Sequence, residues 1–347
     1  MSLVDDDRRN DVHPQWRQWA RDNLARGATT AEVRSVLVAE GVPAPAAEAL
    51  IDELVRSPTD PEARAWWRRA QALEQMLRLR GELRRVQPRG REIERGPLPS
   101  PADFLARHWV PGVPLVITDL VPRWPAWHSW DPHALDQRFG DVMITACVGR
   151  DHAIDPDPDW QPLLHKLRFG TLLERLWRNE GGNDVYMIAK NGGFTCAGLR
   201  GLLDDVPLPP EFFGPEPVPA RMGLWIGPAG THTPLHHDTD NSMFCQVRGR
   251  KRFRLAPPES LALLDGSRGV YSQWDPRDAE GLAQGPEPLL ELEIAAGETL
   301  FLPAGWWHQV DALEPSISVT VLEFAWPNDF RWYRPGSWLR GSVGFGE

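Results

Sequence analysis

The sequence predicts a mainly β protein, either a sandwich or a barrel, preceded by a small helical region. Short runs rich in branched and aromatic residues recur after residue 110, among them PLVITDL, VYMIA and SISVTVLEF. Turns rich in proline and glycine separate these runs, a texture typical of sandwiches and barrels. Residues 1–90 instead repeat apolar side chains at three- and four-residue spacing, as amphipathic helices do. The 347 residues are enough for one large domain and a smaller one.

Four helices are predicted in the amino-terminal region, over residues 16–26, 31–40, 46–56 and 61–85. Thr29 or Thr30 is suited to cap the second helix, and Asp60 to cap the fourth, which has Pro61 at its first position. The stretch QPRGREIERGPLP then has the composition of a linker. We therefore predict a helical domain over residues 1–90, serving dimerisation or substrate recruitment, and a β domain over residues 91–347.

Composition excludes several classes of function. The net charge of −10 argues against a general nucleic-acid binder, because binding phosphates needs a surplus of cations. No run of 18 apolar residues is present, so we expect no membrane span, and the first residues lack the apolar segment of a signal peptide. The three cysteines include no CxxC pair, which fits a reducing compartment better than a disulfide framework. We expect a cytoplasmic protein.

A histidine and an aspartate at strand spacing indicate a metal site. In TPLHHD, His236 and Asp238 are two residues apart, so on a strand they share a face while His237 points away. His308, in LPAGWWH, follows a predicted strand and a Pro-Ala-Gly turn that can return it to the same place. Two imidazoles and one carboxylate form the facial triad of non-haem iron(II) sites. The pair taken alone also allows a solvated turn with a core histidine.

Three motifs in order carry a resemblance to a known family. TPLHHD, the lysine of GRKRFRLAPP thirteen residues after the aspartate, and LPAGWWH resemble the cupin-like branch of the JmjC hydroxylases. That branch includes the asparaginyl hydroxylase that represses hypoxia-inducible factor. The resemblance covers about residues 90–327. It implies a double-stranded β-helix (jelly-roll) core, the cofactors Fe(II), 2-oxoglutarate and O2, and hydroxylation of an unactivated C–H bond.

The resemblance also implies roles for individual residues. His236, Asp238 and His308 match the iron ligands. Lys251 matches the lysine that pairs with the distal carboxylate of 2-oxoglutarate. Thr233 and Tyr186 match residues that donate hydrogen bonds to the same carboxylate. Alternation in RKRFRL supports this role, because Lys251 shares a face with apolar neighbours and an inward lysine needs an anion. A surface lysine on an edge strand and an ordinary core tyrosine remain the alternatives.

Two positions depart from the family pattern and bear on the substrate. Ser242 and Glu323 stand where relatives often have asparagine, so cosubstrate seating is expected to differ locally, or Glu323 faces the substrate. Asp240 has the same strand parity as His236 and Asp238. With Glu323 it would place negative charge near a peptide or protein substrate whose target side chain is basic or polar; two solvated acids are the alternative. Oxidation of a free amino acid or natural product, and a non-catalytic cupin-type binding module, also stay open.

Overall fold

The computed structural model of the chain describes residues 12–25, 28–56, 61–86, 92–153, 156–178, 180–265, 267–277, 289–328 and 330. These residues divide into two compact units, one extending to Arg84 and the other from Arg85 onward. The predicted boundary between residues 90 and 91 lies outside the described residues. No helix in the described part of the chain is both long enough and apolar enough to cross a membrane.

The first unit consists of four helices close to the predicted ones: α1 (Pro14–Ala25), α2 (Thr30–Ala39), α3 (Ala44–Arg56) and α4 (Pro61–Val86). Thr29 caps α2 through a capping box, in which its hydroxyl accepts from the Glu32 amide and the Glu32 carboxylate accepts from the Thr29 amide. Val33, Leu37 and Leu50 are buried between the first three helices. The predicted Asp60 cap of α4 falls outside the described residues.

The second unit is built mainly of strands. Its strands are β1 (Glu94–Gly96), β2 (Leu115–Ile117), β3 (Met143–Val148), β4 (Leu164–Arg168), β5 (Val185–Tyr186), β6 (Met222–Gly227), β7 (His232–His237), β8 (Ser242–Arg248), β9 (Lys251–Ala256), β10 (Ser267–Arg268), β11 (Tyr271–Ser272), β12 (Leu290–Ile294), β13 (Thr299–Leu302), β14 (Trp307–Ala312) and β15 (Ser316–Val321). Short helices connect them: α5 (Pro101–Phe104), α6 (Pro125–Ser129), α7 (Pro132–Phe139), α8 (Phe169–Trp177), α9 (Pro210–Phe213) and α10 (Leu261–Asp265).

Two six-stranded sheets form the body of this unit. The first has the order β1-β2-β13-β8-β15-β6 and the second the order β10-β11-β7-β14-β9-β12, with a smaller sheet β4-β3-β5 beside them. Apolar side chains of the two large sheets pack against each other, as in the edge-to-face contact of Phe244 on β8 with Phe253 on β9, 4.9 Å between ring centroids. The unit is therefore a β-sandwich.

The first large sheet is covered on its other face as well. Met243, Val247 and Val319 from that sheet join an apolar cluster with Trp130 and Leu172 from the connecting segments. Because both faces are covered, every residue of β15 is buried, including the serines and threonine that alternate with its apolar residues, and so is every residue of β8 except Arg248. The outer face of the second large sheet carries ion pairs on β9, where Arg252 faces Glu291 and Glu293 of β12, and an apolar cluster around Ala256. By strand alternation Lys251 has the opposite parity and faces the interior between the two sheets.

Candidate active site

The structure brings His236, Asp238 and His308 together. β7 and β14 are antiparallel neighbours, and His308 lies directly opposite His236 in their pairing, with 4.0 Å between the ring centroids. Asp238 follows the last residue of β7. Its carboxylate oxygens lie 4.0 Å from His236 Nε2 and 3.7 Å from His308 Nε2. One ligand atom from each residue falls within 4.8 Å of the others, so a single ion can contact all three.

Hydrogen bonds set both histidines in the form that binds a metal. His236 Nδ1 donates to the Pro234 carbonyl at 2.8 Å, and His308 Nδ1 donates to the Trp306 carbonyl at 2.9 Å. Because a carbonyl only accepts, each Nδ1 carries the proton and each Nε2 presents a lone pair. Burial lowers the pKa of both imidazoles, which favours the neutral ligand form.

Asp238 completes the donor set from a more open position. Its side chain is 48% exposed, whereas those of His236 and His308 are 12% and 7% exposed. Ligands on one side of an ion leave its other side free for further ligands, as in the facial arrangement of two histidines and one carboxylate. The residues present therefore fit a divalent iron ion with open coordination positions.

An extra residue in β7 turns Thr233 toward the same interior as His236. Thr233 pairs with Val310 and His236 pairs with His308, so three steps along β7 match two steps along β14. This β-bulge shifts the alternation of side chains by one residue. In a regular strand two residues separated by three positions face opposite ways, whereas here both face inward.

Lys251 is buried in this interior beside Tyr186. The lysine is 1% exposed, and its ammonium donates to the Tyr186 hydroxyl at 3.1 Å. The rings of Tyr186, Trp225 and Phe244 surround it at 5.1 to 5.9 Å from Nζ to the ring centroids. The Thr233 side chain lies close enough to the Tyr186 hydroxyl to act on its pKa, which it lowers. The three residues predicted to hold 2-oxoglutarate thus meet at one place.

The charge on Lys251 has no acidic counterpart among the described residues. Burial lowers the pKa of its ammonium to about 7, and burial raises the pKa of the Tyr186 hydroxyl. A buried cation without an anion is costly, and a bound carboxylate would offset that cost while accepting hydrogen bonds from the lysine, the tyrosine and the threonine. The lysine, the tyrosine and the threonine are therefore suited to bind the carboxylate of a small anion.

Asp240 and Glu323 lie together, but neither is a free acid. Arg221, which follows α9 in the chain, places Nη2 3.2 Å from the Asp240 carboxylate and Nε 3.5 Å from that of Glu323. Two carboxylates and one guanidinium leave a net charge of −1 at this point. The predicted contact of Asp240 and Glu323 with a substrate stays a prediction. The alternative, two solvated acids, did not include their ion pairs with Arg221. Sequence reasoning missed Arg221 because it belongs to no motif.

Comparisons with known proteins place the chain in a family. Residues 101–324 match the family described as "Cupin-like domain". The chain belongs to the cupin-like domain family. This membership confirms the expected jelly-roll type of fold and the resemblance to JmjC proteins. In this chain, the pair of six-stranded sheets described above forms the cupin-like domain.

Several curated proteins are similar to this cupin-like domain. A protein of Arabidopsis thaliana named lysine-specific demethylase JMJ30 is 31% identical over 242 residues, covering 65% of this chain and 52% of the relative. A Drosophila melanogaster protein named Jumonji C domain-containing protein 5 is 29% identical, covering 64% and 57%. The human bifunctional peptidase and (3S)-lysyl hydroxylase JMJD7 is 27% identical, covering 64% and 80%. The chain spans little more than half of the plant and fly relatives.

Proposed function

We propose that the chain is an Fe(II)- and 2-oxoglutarate-dependent dioxygenase that hydroxylates an amino-acid side chain of a peptide or protein. One observation carries the proposal: a buried lysine, with no acidic partner among the residues that the structure describes, lies in the same sandwich interior as two neutral histidines and an aspartate. His236, Asp238 and His308 hold the iron, while Lys251, Tyr186 and Thr233 hold the distal carboxylate of 2-oxoglutarate. Iron and 2-oxoglutarate, when bound, supply the oxidising chemistry with O2.

The residues of the chain then have distinct tasks. The two Nδ1–H groups, held by backbone carbonyls, keep each imidazole oriented with Nε2 toward the metal. The aromatic rings around Lys251 exclude water from the cosubstrate carboxylate, which strengthens the ion pair. The exposed side of Asp238 leaves room for a substrate side chain to approach.

The first test is metal-dependent turnover of 2-oxoglutarate. We expect succinate to form when the purified chain is given Fe(II), 2-oxoglutarate and air, and we expect Asp238→Ala and His308→Ala to abolish it. His165→Ala, which removes an exposed histidine of β4, is the matched control and should retain full turnover. The absence of succinate with the unaltered chain, together with no metal binding, would contradict the proposed function and favour a non-catalytic binding module.

For the substrate, we propose a basic or polar target side chain. The support is the net negative charge of Asp240, Glu323 and Arg221, together with relatives named for lysine demethylation and lysyl hydroxylation. We expect a peptide-library screen by mass spectrometry to find +16 Da products on cationic residues, and Asp240→Asn to lower their yield more than that of neutral targets. Unchanged turnover of a cationic target in Asp240→Asn would overturn this proposal.

We also propose that the amino-terminal helices join two copies of the chain. Half of the large apolar side chains that are exposed in the described residues lie on α4, and they are Trp67, Leu73, Met76, Leu79, Leu83 and Val86. Such a concentration on one helix is typical of a protein interface. Recruitment of a peptide substrate is the alternative use of the same surface.

A further inference from the structure

A segment beyond the last strand is bonded to the loop that carries Asp238. Asn328 lies seven residues after β15 and is 8% exposed. Its Oδ1 accepts from the backbone amide of Asn241 at 2.9 Å and from the Asn241 side chain at 3.0 Å. Its Nδ2 donates to the Asn241 carbonyl at 2.9 Å and to the Leu322 carbonyl at 2.8 Å. One side chain thus makes four hydrogen bonds, three of them to Asn241.

Asn241 passes this attachment on to the loop that precedes His308. The Asn241 Oδ1 accepts from the Ala304 amide at 2.9 Å, and the Gly305 amide donates to the Asp238 carbonyl at 2.8 Å. Ala304 and Gly305 form the turn between β13 and β14. Two loops, one carrying Asp238 and one leading into His308, are therefore bonded to each other and to Asn328.

Arg221 closes the same network from the other side. Its Nη2 donates to the carbonyls of Leu322 at 3.0 Å and Asn328 at 2.9 Å, as well as to the Asp240 carboxylate. The segment 322–328 is thus held at both ends while its asparagine reaches the ligand loop. We name Asn241, Asn328 and Arg221 the clasp.

The position of Asp238 depends on its backbone more than on its own side chain. Within the described part of the chain, only the two ligand histidines pair with its carboxylate, and that carboxylate is about half exposed. Asp238 lies just past the end of β7, so no strand pairing fixes its side chain as pairing fixes those of His236 and His308. The loop 238–241 must be held by other means, and the clasp is bonded to it.

We propose that the clasp positions Asp238 relative to the two histidines, so that Asn328, 90 residues away in sequence, acts as a positioning residue for the metal. The inference rests on the proposed metal site. Partners that orient metal ligands from outside the coordination shell typically change metal affinity by about 10-fold to 100-fold when removed. Asn328 contacts neither metal nor substrate in this role. It acts through Asn241 and the loop backbone.

Metal affinity measured apart from activity tests the proposal. Co(II) alone is titrated into the metal-free full chain, following its ligand-field absorption, while urea unfolding of the metal-free protein is measured in parallel. We expect Asn328→Ala to weaken the Co(II) Kd about 10-fold or more and to alter the absorption band. Asp205→Asn is the control, because Asp205 accepts from Trp130 and Arg138 in the same unit and makes no contact with the ligand loops. It should lose stability and keep its Co(II) affinity.

A second variant keeps the test decisive if Asn328→Ala does not fold. Asn328→Asp has the same shape and retains the acceptor for Asn241, yet it loses both donated bonds and sets an oxygen against two carbonyls. We expect it to weaken Co(II) binding at least about threefold. An unchanged Kd in a folded Asn328 variant would overturn the clasp alone. If the unaltered chain binds no Co(II), the proposed metal site itself fails and the clasp fails with it.

Discussion

Lys251 is the residue whose chemistry depends most on its surroundings. Alternation in RKRFRL predicts that it faces inward, and the structure buries it among three aromatic rings with the Tyr186 hydroxyl as its hydrogen-bond partner. Desolvation penalises the ammonium, so burial lowers its pKa to about 7 while no bound anion is present. A carboxylate bound beside it restores the charged form. Binding is therefore linked to proton uptake.

This linkage predicts that 2-oxoglutarate binds more weakly as the pH rises. Below pH 7 the lysine of the free protein is already charged. Between pH 7 and the ordinary pKa of a lysine, near 10.5, the lysine of the free protein is neutral, so the anion must bind together with a proton. We expect the Kd in the presence of Co(II) to rise about 10-fold from pH 7 to pH 8.5. Calorimetry in buffers of different ionisation enthalpy would measure the proton uptake. Lys251→Arg, which stays charged, should bind with little dependence on pH if it folds. A flat profile for the unaltered chain would refute the linkage.

The sequence predicted the place of those site residues whose neighbours in space are also close to them along a strand or within a motif. His236 and Asp238 stand two residues apart in one motif, and alternation in RKRFRL turns Lys251 inward, but the resemblance to a known family was needed to predict one site from them. Asn328 and Arg221 were not predicted, because their partners lie 87 and 19 residues away in the sequence. An asparagine or arginine in a loop also belongs to no periodic pattern from which its contacts could be predicted. For the same reason the ion pairs of Arg221 with Asp240 and Glu323 were missed.

At the level of elements, a tight turn at Gly249 and Arg250 joins β8 to β9, so that β9 begins at Lys251. Gly249 has φ +73°, in the left-handed region, and a Cβ built on it would lie 2.2 Å from the Pro315 carbonyl oxygen. Both the conformation and the close approach of the neighbouring backbone require glycine. Directly after this turn, Lys251 opens β9 and pairs with Ala312 of β14.

Replacing this glycine should destabilise the sandwich. We expect Gly249→Ala to lower the free energy of unfolding by more than about 2 kcal/mol, because backbone strain adds to a backbone clash. Gly269 has φ +64° but nothing within 4 Å of its Cβ, so Gly269→Ala carries the strain alone and should cost about 1 kcal/mol. Urea denaturation compares the two. Equal losses would show that the approach of Pro315 is relieved by movement of its loop.

Helix bounds and strand locations were predicted more closely than strand phase. α2 and its Thr29 cap follow from local hydrogen bonding that a short sequence window contains. The bulge in β7 does not follow from alternation, because its cause is the pairing with β14 across about 75 residues of chain. Thr233 was matched through family resemblance, whereas a regular strand would have turned it outward.

At the scale of the whole molecule, the two compact units differ in how they use apolar side chains. In the second unit these side chains fill the space within and behind the sheets. On α4, which belongs to the first unit as far as Arg84, Met76, Leu79, Leu83 and Val86 are exposed at three- and four-residue spacing, with exposed fractions between 54% and 75%. That spacing is typical of the seam between two paired helices, in which each helix covers the other.

Charge placed in this seam should separate the proposed dimer. We expect the unaltered chain to sediment as a dimer and Leu79→Glu/Leu83→Glu to sediment as a monomer, because four carboxylates would meet in an apolar interface. Val110→Glu changes an exposed apolar residue of the other unit, 77% exposed, and should leave the dimer intact. A dimer that survives the double substitution, or an unaltered chain that is monomeric, would refute this role of α4.

The extra residue in β7 has a consequence for how the site could change over time. Because it lets Thr233 and His236 face the same interior, one strand carries residues of both proposed binding sites. A single deletion between these two residues would remove the bulge and leave them two positions apart, so regular alternation would still turn both inward. Their pairing with Val310 and His308, rather than the number of residues between them, keeps the two sites on one face, and this number can change by one while both residues stay in place.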